Sequence, residues 1–137
     1  MIRSRSSEKP TGFPEAGLRK LQDVLHAGAG AVEKALRAGV KMGFGTDLLG
    51  ETHPAQSKEF ALRAQIQSNA DVLRSATIIN ADLLMHSGRL GVLKPGAFAD
   101  FLLVNGNPLE DLSVLSGQGE RIDVIVRGGI MFKNALH

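Results

Sequence analysis

Asp47 is the residue of this 137-residue chain with the clearest chemical potential. It follows the short apolar run Val40-Lys41-Met42-Gly43-Phe44-Gly45 and Thr46, and it opens the polar stretch Leu48-Leu49-Gly50-Glu51-Thr52-His53-Pro54. A short apolar run bounded by glycine reads as a buried strand. The carboxylate would then sit at the strand's C-terminal edge, where parallel α/β folds build active sites. Taken alone, Gly45-Thr46-Asp47 is not specific and reads more readily as a turn closed by an Asx hydrogen bond. The histidines are His26, His53, His86 and His137, and no two of them form a His-x-His pair. His53 is the one on the loop beyond Asp47, where it could reach a substrate or simply shape the loop. His26 falls within a helical stretch, His86 near a helix C-terminus that favours a cationic ring, and His137 at the end.

The elements that would position Asp47 follow from periodicity. Leu18, Leu21, Leu25, Val32 and Leu36 recur at helical spacing over about Pro14 to Ala38, and Gly39 suits a left-handed helix end. After the strand and loop, a helix is expected over Ala55 to Ile66. Ser68-Asn69-Ala70-Asp71 resembles a capping box opening a helix that carries Val72, Leu73 and Ala76. A further short helix spans Asn80 to Met85. Beyond Gly88 the composition turns strand-like over Leu90 to Leu93, Ala97 to Val104 and Ile122 to Arg127, separated by Lys94-Pro95-Gly96 and Asn105-Gly106-Asn107-Pro108 turns. Gly128-Gly129 is a two-residue hairpin signal, with Ile130 to Lys133 returning. Asp100, in an otherwise apolar strand, is expected to pair with an arginine or cap a turn.

Composition narrows the possibilities. With 43% hydrophobic and 22% charged residues the chain reads as globular. A net charge of +2, no Trp or Tyr and scattered cations give a nucleic-acid surface little to build on. No stretch approaches a membrane span, and the basic, Ser-rich start lacks an apolar core for a leader. The absence of cysteine excludes disulfides, thiolate zinc sites and cysteine nucleophiles, and suits the cytoplasm.

Read together, four blocks say more. Gly39 to Asp47, Ala76-Thr77-Ile78-Ile79-Asn80-Ala81, Gly91 to Asp100, and Asn107-Pro108-Leu109 with the ending Val126-Arg127-Gly128-Gly129 follow one another at plausible spacing. In that order they resemble the amidohydrolase superfamily, especially its Xaa-Pro dipeptidase and imidazolonepropionase-like branch, over about residues 14–134. The resemblance implies an α/β fold: the terminal strand-helix unit of a TIM-type (β/α)8 barrel plus the C-terminal part of a small β-sandwich domain. Its division would be a disordered start over 1–12, barrel over 13–88 and a composite β domain over 89–137. It also implies a centre of zinc or another divalent metal, held by a His-x-His on the first strand, often a carbamylated lysine on the fourth, histidines on the fifth and sixth, and an aspartate on the eighth. Asp47 matches that aspartate, which binds metal and carries the proton of metal-activated water to the leaving amine. Lys41 does not match the carbamylated lysine. The expected activity is hydrolysis of amide or peptide C–N bonds in a small substrate. Without the histidine pairs, this chain alone is expected to retain no metal and to be inactive. It would then be a truncated remnant, a self-associating fragment, or one subunit of a split enzyme whose complementing barrel chain supplies the rest.

Overall fold

The computed structural model describes residue 28 and residues 30–136. They divide into two compact units, meeting between Ala38 and Gly39. Of the first, residues 30–37 form helix α1, closed by the Ala38 N–H on the Lys34 carbonyl (3.0 Å) and carrying an exposed Arg37–Glu33 pair. The rest of the helix expected from Pro14 lies outside the described residues. Gly39 is left-handed (φ 72°), as its place after a helix requires.

The second unit begins without a regular element. Residues 40–45 carry no β-ladder, so the expected strand does not form as such. A strand needs a neighbour for its N–H and C=O groups, and no described strand lies beside these residues. A 3₁₀ turn, Gly50–Ala55, leads into α2, Lys58–Arg63, which is shorter than the helix expected over Ala55 to Ile66. Helix α3, Asn69–Arg74, starts where the capping box placed it, with Ser68 Oγ accepting the Asp71 N–H (3.2 Å). It continues through a π turn, Ser75–Ile79, into α4, Asn80–Leu83. The exit is a Schellman closure with Met85, rather than a glycine, in the left-handed position (φ 57°). His86 N–H there reaches the Ala81 carbonyl and Met85 N–H that of Asp82.

The β part is an antiparallel sheet of β1 (Phe101–Val104), β2 (Ile122–Arg127) and β3 (Ile130–Asn134) in that order. Phe101 pairs with Val126 and Leu103 with Val124, while Ile125 shares the opposite face with Leu102 and Lys133. Gly128 and Gly129, both at positive φ, close the tight turn between β2 and β3. Only the second half of the strand expected over Ala97 to Val104 joins the ladder, and Leu90 to Leu93 contributes no strand. Leu90 instead makes an isolated bridge to Ser87, and Gly91 packs on the π turn. A Cβ on Gly91 would come within 2.6 Å of the Thr77 carbonyl group.

The buried apolar residues are Val72, Ala81, Leu112, Val114, Val124 and Val126. Leu112 and Val114 enter that core from a short 3₁₀ turn that Asp111 caps, accepting from the N–H and Oγ of Ser113 (2.8 and 2.7 Å). The hydrogen bond from the Ser113 side chain holds the Asp111 carboxyl below its ordinary range. Large apolar side chains stay exposed along β1 and β3, with Ile130 and Phe132 each 65% accessible.

Candidate functional site

Residues 43–45 are held by side chains. Phe44 donates its N–H to Asn80 Oδ1 (2.9 Å), and its carbonyl accepts from Asn80 Nδ2 (2.8 Å). Gly45 donates its N–H to Glu59 Oε1 (3.3 Å), and the Gly43 carbonyl accepts from Arg63 Nη2 (2.7 Å). Alternate residues of an extended chain present their polar groups to opposite edges. Asn80 therefore serves one edge, and the Glu59–Arg63 pair serves the other. Between them they supply what two neighbouring strands otherwise would.

The grip has a local origin. Glu59 and Arg63 stand four residues apart on α2, acid first, the better order for such a pair. Arg63 Nε donates to Glu59 Oε1 at 3.0 Å, with Nη2 at the same distance, and the two side chains are only 13% and 11% exposed. The Phe44 ring lies 4.5 Å from that of Phe60 and 5.6 Å beneath the Arg63 guanidinium. Such a cation–π contact favours charge close to an aromatic face. Gly43 leaves room for Asn80, since a Cβ there would approach Asn80 Oδ1 to 2.5 Å. Glu59 Oε2 is buried without a hydrogen-bond partner. Leaving such an acceptor dry costs about 1–3 kcal/mol, which the donors gathered on Oε1 must offset.

Asp47 follows this segment as an exposed residue in the left-handed region (φ 52°), a conformation aspartate tolerates better than most residues. Thr46 Oγ1 accepts the Leu48 N–H (3.4 Å), which bends the chain around it. His53 is exposed in the 3₁₀ turn and lines a hollow of about 300 Å³ with Pro54, Leu115, Gln118 and Gly119, which Asp47 does not border. His86 is exposed at the helix exit, while His26 and His137 lie outside the described residues. Lys41 is solvent-facing, 4.0 Å from Asp82. Asp100 has the structural place expected of it, accepting the Gly128 N–H at the hairpin turn.

Residues 5–131 match the amidohydrolase family. The chain belongs to that family. It is 48% identical to a crystallised amidohydrolase, superposing with a TM-score of 0.84 over 92% of this chain and 30% of that one. A prolidase crystallised with N-methylphosphonate-L-proline is 42% identical, with a TM-score of 0.81 over 90% of this chain and 30% of the other. The ochratoxinase of Aspergillus niger is 28% identical over 124 residues, 89% of this chain and 25% of its own length. The chain therefore spans about a quarter to a third of these relatives.

Amidohydrolases typically use divalent metals. Among the described residues no group of three or more His, Cys, Asp or Glu side chains is placed to hold one. Asp47 is a single oxygen-donor residue, so the described residues do not by themselves fit a metal centre. No helix among them is long and apolar enough to cross a membrane. Sequence reasoning missed Glu59, Arg63 and Asn80. The four-residue spacing of the first two and a lone amide among Ile78, Ile79 and Ala81 were the available signals.

Proposed function

We propose that this chain is the terminal part of a hydrolase of amide or peptide C–N bonds, with Asp47 as its proton-carrying carboxylate. One observation carries the reading: in an amidohydrolase-family chain, Asp47 stands exposed directly after a segment whose backbone is anchored on both edges. As water attacks the substrate carbonyl carbon, Asp47 accepts its proton. The carboxyl then delivers that proton to the leaving nitrogen as the C–N bond breaks. An exposed carboxylate at a fixed backbone position suits both transfers, because each needs a donor–acceptor approach of about 2.6–3.2 Å. The prolidase-like neighbours favour a small peptide or amide as substrate, with His53 on the adjoining loop as a contact to it.

In this reading zinc or another divalent ion takes its remaining donors from barrel strands outside this sequence, on the same polypeptide or on a complementing chain. Residues 13–88 then belong to the barrel and 89–137 to a composite β domain. The apolar side chains exposed along β1 and β3 favour a covering partner. A second reading, a non-catalytic chain that associates with itself through these strand edges, draws on the same exposure. The purified chain is expected to show no amidase or dipeptidase turnover. Joined to a complementing barrel it should turn over, and Asp47→Asn should lower the rate by about 10²–10⁴-fold with the fold intact. Metal-dependent turnover by the isolated chain, or near-normal turnover by the completed Asp47→Asn enzyme, would overturn the reading.

A further inference from the structure

We propose that Asn80, Glu59 and Arg63 are positioning residues that set the place and backbone conformation of Asp47. The inference deepens the reading of Asp47 as the proton-carrying carboxylate and rests on it for its functional meaning. Only Thr46 separates Gly45 from Asp47, so a backbone fixed at residues 43–45 leaves Asp47 little freedom of place. The anchors are unlike those of a strand. A strand's position follows its neighbours, whereas this segment follows two helices, through one amide from α4 and one ion pair from α2. The details are those of a fitted site. Asn80 makes both bonds its amide can offer a single residue, donating to the Phe44 carbonyl and accepting from its N–H. Gly43 leaves the space that this approach needs. Arg63 joins the Gly43 carbonyl, the Glu59 carboxylate and the Phe44 ring, and also donates to Gln67 Oε1.

A second consequence concerns pairing. With the Gly43 carbonyl, both Phe44 groups and the Gly45 N–H already engaged, an added neighbouring strand would have to displace these side chains to ladder with residues 43–45.

The test is amide hydrogen exchange and backbone chemical shifts of the whole chain by NMR, with no turnover measured. Failure of the hydrolase reading would leave these readouts unmoved. The Phe44 and Gly45 amides should exchange slowly, and Asp47 should show the carbon shifts of a left-handed residue. Asn80→Ala should speed exchange at Phe44, and Glu59→Ala at Gly45, by about tenfold. Both should move the Asp47 shifts while Val124 and Val126 keep their rates, a pattern that a general stabiliser would not produce. Glu59→Gln and Asn80→Asp retain the accepting oxygen, so they should hold Gly45 and Phe44 within about threefold of the parent. If an alanine variant unfolds, the parent and the conservative variants decide. Phe44 and Gly45 exchanging in the parent at unstructured rates would overturn the proposal. So would unchanged Asp47 shifts in a folded alanine variant, or lost Phe44 protection in a folded Asn80→Asp chain.

Discussion

The sheet and the segment before Asp47 solve the same problem in opposite ways. In β1–β3 the laddered backbone groups find their partners in a neighbouring strand, and the hairpin brings β2 and β3 together across two glycines. In residues 43–45 the partners are side chains 14 to 36 residues further along the chain. A ladder is made by any sequence able to extend, and its strength is spread over many bonds. A side-chain anchorage depends on a few named residues and concentrates its strength in them. The difference teaches where this chain is tolerant and where it is brittle.

The comparison can be broken most forcefully at Arg63. Arg63→Ala would leave the Glu59 carboxylate buried without its cation and the Gly43 carbonyl without its donor. Removing one partner of a buried pair costs about 3–5 kcal/mol, so a large drop in the denaturation midpoint is expected. If the unfolding free energy falls by less than about 1 kcal/mol, anchorage by this pair is not a source of strength. The sheet's counterpart is Val124, which is 4% exposed in the middle strand. Val124→Ala should cost about 2 kcal/mol through lost burial and a small cavity, while the 43–45 amides keep their exchange rates. Loss of protection in both regions at once would mean that the two are one cooperative block.

A smaller effect sharpens the contrast at the start of α3. Ser68→Ala removes the acceptor for Asp71 N–H and should cost about 1 kcal/mol in thermal or chemical unfolding. The smallest effect expected is at Asp111. Its carboxyl is held below the ordinary range by Ser113, so the folded state binds that proton less readily than the unfolded one. Its contribution is therefore complete above the ordinary carboxylate pKa and is lost as pH falls through the depressed one. Asp111→Asn should flatten that acid limb slightly, and an unchanged acid limb would show that the bonds to Ser113 do not persist in solution.

What could be read in advance was local. The Ser68 cap, the alternation of Ile122, Val124 and Val126, and the Gly128-Gly129 turn each depend on residues a few positions apart, and each is found. The expected strand over 40–45 failed for the complementary reason: an apolar run says that a segment is covered, but not by what. Glu59, Arg63 and Asn80 were illegible because their partners are remote backbone groups, which leave no pattern in composition. Asp47 was selected by its neighbours in sequence, and the family match places it in an amidohydrolase chain without assigning it a role. The path through residues 69–83, expected as two helices, one carrying Val72, Leu73 and Ala76 and a further one from Asn80 to Met85, runs on through a π turn. Val72 and Ala81 are both buried although nine residues apart, two and a half turns of a regular helix, so uniform periodicity sets them on opposite faces.

The π turn at Ser75–Ile79 accounts for that slippage, and it also says where the chain can change length. A turn closed from residue i to i+5 holds one residue more than a regular helical turn. Losing Ile78 or Ile79 would let the helix close in ordinary register, with its two ends, the Ser68 cap and the Asn80 amide, left nearly in place. Losing one residue between Asn69 and Arg74 has no such refuge, since it would swing Val72 out of the core or pull the cap from its helix. The wide turn is thus a slot for a spare residue, and the segment's tolerance to deletion is set by where along the helix the deletion falls.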